Sequence, residues 1–125
     1  MEFKDKQAIY LQIAEYACDQ VLLQKWNPGE KIISIRELAM ALEVNPNTVQ
    51  RTYDFLQQMQ IISNKRGVGY FIETDAEERI LAFRKEQFIK NELPQFLRTL
   101  YLLKIDPREI QTQYEQYIND HFKSN

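Results

Sequence analysis

Apolar residues return every fourth position near the start of the chain, and this spacing predicts a first helix. The helix covers residues 7–25, with one buried face formed by Ile9, Ile13, Ala17 and Val21. The tripeptide Asn-Pro-Gly that follows is a strong turn signal. The Lys-Ile-Ile segment after the turn is long enough only for a short strand.

Ser34 predicts the start of a second helix. Glu37 stands three residues later, which is the spacing of a capping box. We expect this helix to end near Leu42 or Glu43. Its apolar positions follow the i, i+3, i+4, i+7 pattern of a buried stripe and are Ile35, Leu38, Ala39 and Leu42.

Pro46 predicts the start of a third helix rather than a break in one. Asn45 is a good N-cap, and proline suits the first helical position because no backbone N–H is needed there. We expect the helix to run to about Gln58. Its inner stripe consists of Val49, Thr52, Tyr53 and Leu56.

The outward face of this third helix carries planar, hydrogen-bonding side chains. Asn47 and Arg51 lie opposite the buried stripe, and Thr48 and Gln50 flank them. Asparagine and glutamine can bond adenine edges, arginine can fork to guanine, and threonine can serve either role. A helix that carries these side chains near its N-terminus is suited to reading bases in the major groove.

A hairpin with a basic tip follows. Its strands are predicted by the alternation of Val68, Tyr70 and Ile72. Residues 65–69 form the tip, where Lys65 and Arg66 stand beside Gly67. An arginine on a thin wing can enter a narrow minor groove, where the negative potential is strong. Arg36, near the start of the second helix, is placed to grip a phosphate.

Two helices joined by a tight turn and followed by a hairpin make a winged helix-turn-helix. The charge distribution agrees with a DNA-binding version of this motif. Residues 31–72 contain five Lys and Arg and three Asp and Glu, a net charge of +2, whereas the whole chain has a net charge of −2. The overall acidity excludes a uniformly basic, histone-like binder but not a basic face.

The segment from Pro28 to Ile72 resembles the GntR family of bacterial transcription regulators. The run VNPNTVQRTY and the short C-terminal tail resemble its YtrA-like subgroup. The resemblance implies DNA contacts from the second helix, the third helix and the wing, and for the subgroup it implies control of transporter operons. The candidate DNA-binding residues are Arg36, Asn45, Pro46, Asn47, Thr48, Gln50, Arg51, Lys65, Arg66 and Gly67.

Five positions depart from the family pattern. Glu43 and Gln60 stand where the family usually has glycine, in the helix–helix turn and before the first hairpin strand. Ile32-Ile33 replaces a common Leu-Pro pair, and Tyr70 replaces a common Thr. If Glu43 needs a positive φ, it carries strain.

The fold class that we expect is mainly α with a small β-hairpin: a DNA-binding winged helix-turn-helix at residues 1–74 and a short helical dimerisation segment at 75–125. In this segment Pro94 kinks or restarts a helix, and Asp106 caps another. Fifty residues are too few for a ligand pocket of about 300 Å³ within one chain. The tail is rich in aromatic residues, so we expect a homodimer that binds a palindromic operator.

No catalytic, metal or cofactor site is expected, and we predict that the protein is not an enzyme. Cys18 and His121 are the only residues of their types, and neither stands in a recognisable cluster. No apolar stretch is long enough for a membrane span, and no signal peptide is recognisable, so we expect a cytoplasmic protein. The expected activity is repression of transcription, with a small-molecule effector left unnamed. The alternative is a winged-helix module that binds protein instead of DNA.

Overall fold

A computed structural model describes residues 1–4 and 7–123. The chain divides into two compact units, Met1–Phe83 and Arg84–Asn125. The helices and strands are α1 (Ile9–Leu22), α2 (Ile35–Leu42), α3 (Pro46–Gln58), β1 (Ile62–Lys65), β2 (Gly69–Ile72), α4 (Ala76–Gln87), a π-helical segment (Phe88–Glu92), α5 (Leu93–Leu102) and α6 (Pro107–His121). The expected fold class, mainly α with one small hairpin, is confirmed.

Local hydrogen bonds set the starts of α2 and α3, as the sequence predicts. The hydroxyl of Ser34 accepts the backbone N–H of Glu37 at 3.1 Å and donates to the Glu37 carboxylate at 2.8 Å. Asn45 Oδ1 accepts the backbone N–H of Asn47 at 2.8 Å. Pro46 occupies the first turn of α3. These caps satisfy N–H groups that have no partner within the helix.

The core of the first unit lies where α1, α2 and α3 meet the hairpin. Its buried apolar residues are Ile13, Ala14, Ala17, Cys18, Val21, Ile32, Leu38, Ala39, Val49, Tyr53, Leu56, Ile61, Ile62, Ile72, Ala76 and Ile80. The inner stripe that the sequence predicts for α3 is fully buried. Because Ala76 and Ile80 of α4 belong to this core, the first compact unit extends beyond the hairpin.

Two predicted elements are shorter than expected. The first helix stops at Leu22 because Gln24 takes a left-handed conformation with φ of 62°. The predicted strand at Lys31 is reduced to a single antiparallel bridge to Phe71. Ile32 still donates its backbone N–H to the carbonyl oxygen of Tyr70 at 2.9 Å, so this segment lies along β2. The hairpin is antiparallel, with Ile62 opposite Ile72 and Lys65 opposite Gly69.

Glu43 and Gln60, which stand at the two usual glycine positions, have left-handed backbones. Their φ angles are 56° and 62°. Glu43 follows the last residue of α2, and its N–H bonds the carbonyl oxygen of Met40 at 3.3 Å. The turns therefore keep the geometry that glycine adopts most readily, and non-glycine residues bear the strain.

Glu43→Gly is expected to stabilise the protein by about 0.5–1 kcal/mol. Relief of the left-handed conformation contributes about 1–2 kcal/mol, and the extra freedom of glycine in the unfolded chain offsets about 0.4–1 kcal/mol. Urea denaturation would measure the difference. Glu43→Ala is the matched control, because it removes the same side chain but keeps the strain and should leave stability nearly unchanged.

The second unit contains α5 and α6, and no described residue of either helix is buried. Pro94 lies in the first turn of α5, directly after the π-helical segment, so it marks a restart of the α-helix. Asp106 caps α6 by accepting the N–H of Arg108 at 2.9 Å. The Arg108 guanidinium, 2.7 Å away, holds the pKa of the Asp106 carboxyl below its usual value. Among the described residues, no helix combines the length and the apolar character needed to cross a membrane.

Candidate nucleic-acid interface

The N-terminal half of α3 presents its polar side chains to solvent. Asn45, Pro46, Asn47, Gln50 and Arg51 are exposed, and Thr48 is half-buried. The opposite face is anchored in the core. The helix is therefore held firmly on one side while its candidate reading side chains stay accessible on the other.

Asn45 is partly committed to the structure of its own helix. Asn45 is the N-cap, and its Oδ1 accepts the backbone N–H of Asn47. The oxygen must face this N–H, because the amide nitrogen of asparagine can only donate. The two N–H groups of the amide and the second lone pair of Oδ1 remain for an outside partner. A donor contact from this amide would suit a phosphate oxygen.

Gln50 is oriented by a neighbour on the same helix. Its side-chain nitrogen donates to Asp54 Oδ1 at 3.0 Å. An ionised carboxylate only accepts hydrogen bonds, so the amide nitrogen must face Asp54. One N–H and the carbonyl oxygen of Gln50 remain for an outside partner. Sequence reasoning gave Asp54 no role, although its position four residues after Gln50 is the signal for such a pair.

Arg51 lies over an aromatic ring of α1. Its Cζ atom lies 4.0 Å from the centroid of the Tyr10 ring. Arg51, Asn47 and Thr48 line one shallow cleft together with the start of α1, including Tyr10. The structure thus brings three of the predicted reading residues together beside α1. Sequence reasoning missed Tyr10, because nothing local links positions 41 residues apart.

The wing is closed by a tight turn at residues 66–68. The N–H of Val68 donates to the carbonyl oxygen of Lys65 at 2.8 Å. Gly67 has a φ of +78°, a backbone that suits glycine. Arg66 and Gly67 are exposed at the tip, whereas the Lys65 ammonium lies 4.2 Å from the centroid of the Phe71 ring. The wing therefore offers Arg66 at its tip and Lys65 on one face.

Lys31 adds a third basic side chain beside the wing and was not among the candidate residues that the sequence analysis named. It bridges to Phe71 in the backbone. Its Cε atom lies 2.7 Å from the position that a Cβ would take on Gly69. The lysine stem therefore occupies the space left by the missing side chain. No local pattern in the sequence links Lys31 to Gly69, because the two positions are 38 residues apart.

Arg36 is exposed at the second position of α2. It stands in the first turn after the Ser34 cap, so the helix start fixes its backbone. The candidate residues are thus divided among α2, the start of α3 and the wing, all within the first compact unit.

This arrangement matches a known family of regulators. Residues 9–72 match the family model described as "Bacterial regulatory proteins, gntR family". The chain belongs to the GntR family. It is therefore a GntR-family transcription regulator with a DNA-binding helix-turn-helix, and not an enzyme, as the sequence predicts.

The chain also matches two individual regulators over most of its length. It is 34% identical to the HTH-type transcriptional regulator YhcF of Bacillus subtilis (strain 168) over 109 residues, which is 87% of this chain and 88% of YhcF. It is 36% identical to the HTH-type transcriptional repressor YtrA of the same organism over 89 residues, 71% of this chain and 68% of YtrA. The predicted resemblance to YtrA-like regulators is confirmed.

A solved structure of a GntR regulator supports the fold. A putative transcriptional regulator of the GntR family from Bacteroides thetaiotaomicron is 44% identical, with a TM-score of 0.68, and the match covers 90% of this chain and 98% of that one. The likeness includes the tail as well as the winged helix-turn-helix. The short C-terminal segment is therefore shared with at least this GntR regulator.

Proposed function

We propose that the protein is a cytoplasmic repressor that binds a palindromic operator as a homodimer. The observation that carries the proposal is the outward face of α3, where Asn47, Gln50 and Arg51 are exposed on a helix capped by Asn45. Base edges in the major groove are read by such side chains near the N-terminus of a helix.

The assignment of contacts follows from where each side chain stands. Asn47 and Gln50 supply amide groups for base edges, and Thr48 lies beside them. Arg36, Asn45 and Arg51 supply donors for DNA, and Pro46 fixes the start of the helix that presents them. The wing adds Lys65, Arg66 and Gly67, with Arg66 directed to a minor groove.

The homodimer is supported by the apolar surface of the tail. Large side chains on α5 and α6 are exposed, Tyr101 by 83% and Tyr114 by 64%. The apolar positions of α5 recur at helical spacing, which gives a continuous stripe. The described part of this unit buries none of them, so a second copy of the same helices is the partner that we propose. Two-fold symmetry then implies half-sites about one helical turn apart.

The proposal that the protein represses transcription rests on its similarity to YtrA, which is described as a transcriptional repressor. In the simplest mechanism the dimer occupies its operator and excludes RNA polymerase. A small-molecule effector could lower the affinity by binding a site formed by the dimer. The identity of the genes that lie beside the operator would show whether the protein controls a transporter operon.

The test is to incubate the purified protein with sheared genomic DNA and to sequence the retained fragments. Wild type should enrich a short palindrome, and the double variant Arg51→Ala, Arg66→Ala should lose that enrichment. Lys25→Ala, Arg79→Ala is the matched control, because it removes two positive charges elsewhere in the first unit and should keep the enrichment. Retention of the same palindrome by the first variant would contradict the proposed reading surface, as would the absence of any palindrome.

Salt dependence gives a second measurement on the retained duplex. The plot of log affinity against log salt should be steep, because each phosphate contact releases counterions. If Arg51 and Arg66 contact phosphates, their removal should reduce the slope by about 2. An affinity for DNA that does not change between low and moderate salt would argue for a winged-helix protein-interaction module instead.

A further inference from the structure

The Arg51 guanidinium lies over the ring of Tyr10. Arg51 Cζ lies 4.0 Å from the Tyr10 ring centroid. Arginine has five N–H donors, more than one ring contact can use. The contact therefore holds the charged group in place while donors remain for DNA.

Tyr10 is itself held by α3. Its ring meets Phe55 edge-on, with centroids 6.2 Å apart. Its carbonyl oxygen accepts the hydroxyl of the buried residue Thr52 at 2.9 Å. The backbone and the ring of Tyr10 are thus both fixed to the helix that carries Arg51. Tyr10 and Arg51 therefore belong to one packed contact between α1 and α3.

The two neighbouring side chains Gln50 and Arg51 contact different partners. Gln50 bonds Asp54, whereas Arg51 lies against the start of α1. Arg51 is the sixth residue of α3, beyond the first turn that carries Asn47 and Thr48. Because the Arg51 guanidinium lies beside α1, it stands at the edge of the α3 surface that would enter the major groove. The sugar-phosphate backbone borders the groove at such an edge.

We propose that Tyr10 is a positioning residue that presents Arg51 to a phosphate of the DNA backbone, leaving base recognition to the other side chains of α3. The proposal rests on the proposed function, because it requires α3 to bind DNA. An exposed arginine side chain without a contact loses rotamer freedom when it binds DNA. An arginine side chain that is already held against a ring loses less. The stack therefore increases affinity without adding sequence preference.

The test is a double-mutant cycle on two duplexes. One duplex is selected by the wild-type protein from a randomised library, and the other is its scrambled version. The variants are Tyr10→Leu, Arg51→Ala and the combination, with Tyr10→Phe as the conservative variant that retains a ring. Tyr16→Leu is the matched control, since Tyr16 is also on α1 but packs edge-on against Trp26 with centroids 6.3 Å apart. Thermal unfolding checks that each variant is folded.

Tyr10→Leu should weaken binding to both duplexes by about 2- to 10-fold, and Tyr10→Phe should bind as wild type does. In the Arg51→Ala background, Tyr10→Leu should have no further effect, which a general structural role would not produce. Arg51→Ala should lower the salt slope by about 1 on both duplexes. If Tyr10→Leu does not fold, Arg51→Lys replaces it, because lysine keeps the charge but lacks the planar stack and should also weaken binding.

Three results would overturn the inference, and they are distinguishable. Additive losses from Tyr10→Leu and Arg51→Ala would show that Tyr10 does not act through Arg51. A loss from Arg51→Ala on the selected duplex alone would make Arg51 a base reader. Failure of the wild type to select any duplex from the library would defeat the proposed function itself, whereas the first two results would leave it standing.

Discussion

The double variant Leu97→Glu, Tyr101→Glu is expected to be a monomer and to bind the operator about 10³-fold more weakly than wild type. Both side chains lie on the apolar stripe of α5, and they are 52% and 83% exposed in the single chain. The substitutions should therefore cost the folded monomer little. In a dimer that packs this stripe against a second copy, two new carboxylates on each chain would be buried without partners.

The size of the effect follows from two steps. Burying an unpaired charge costs several kcal/mol, so the dimer should dissociate at the concentrations used for DNA binding. A monomer then meets one half-site instead of two. Losing the linked second contact lowers overall affinity by about 10²- to 10⁴-fold. The winged helix-turn-helix is in the other compact unit and is unchanged by the substitutions.

Sedimentation equilibrium would report the mass, and titration with the selected duplex would report the affinity. Leu23→Glu, Met40→Glu adds two carboxylates at exposed apolar positions of the first unit, 47% and 74% exposed. It should remain a dimer. A Leu97→Glu, Tyr101→Glu protein that stays dimeric would exclude this face of α5 from the interface.

The starts of the helices were predictable because their causes are local. Ser34, Asn45 and Asp106 each accept a backbone N–H within three residues. Pro46 could be placed at the first position of α3 for the same reason, since its own ring favours that position. The left-handed turn at Glu43 followed from a family pattern and is present in the structure.

Contacts between distant residues could not be predicted. No local pattern joins Tyr10 to Arg51, or Lys31 to Gly69, and both pairs form only after the elements have packed. The strand predicted at Lys31 is longer than the observed one, because strand length depends on pairing with β2 and only one bridge forms. Sequence reasoning therefore proposed the candidate DNA-binding residues but not the side chains that they contact within the protein.

Tyr53 is the residue whose loss should most strongly affect the first unit. It is fully buried, its hydroxyl donates to the carbonyl oxygen of Ile33 at 2.7 Å, and its ring meets Tyr70 edge-on with centroids 4.9 Å apart. It thus joins α3 to the segment before α2 and to the wing. Tyr53→Ala should destabilise the protein by about 3–5 kcal/mol, measured by urea denaturation. Loss of less than about 1 kcal/mol would contradict this central role.

Tyr53→Phe separates the hydroxyl from the ring and adds a pH test. It should cost about 1–3 kcal/mol at neutral pH, because the Ile33 carbonyl oxygen loses a buried donor. Burial raises the pKa of the Tyr53 hydroxyl well above its ordinary value, and the nearby Tyr70 adds to the rise. Above about pH 10 the unfolded chain therefore releases this proton while the folded chain keeps it, so wild-type stability should fall by up to about 1.4 kcal/mol per pH unit. Tyr53→Phe lacks this contribution, and its stability should decline less between pH 10 and 11. Parallel declines in the two proteins would mean that Tyr53 ionises as readily in the folded protein as in the unfolded chain.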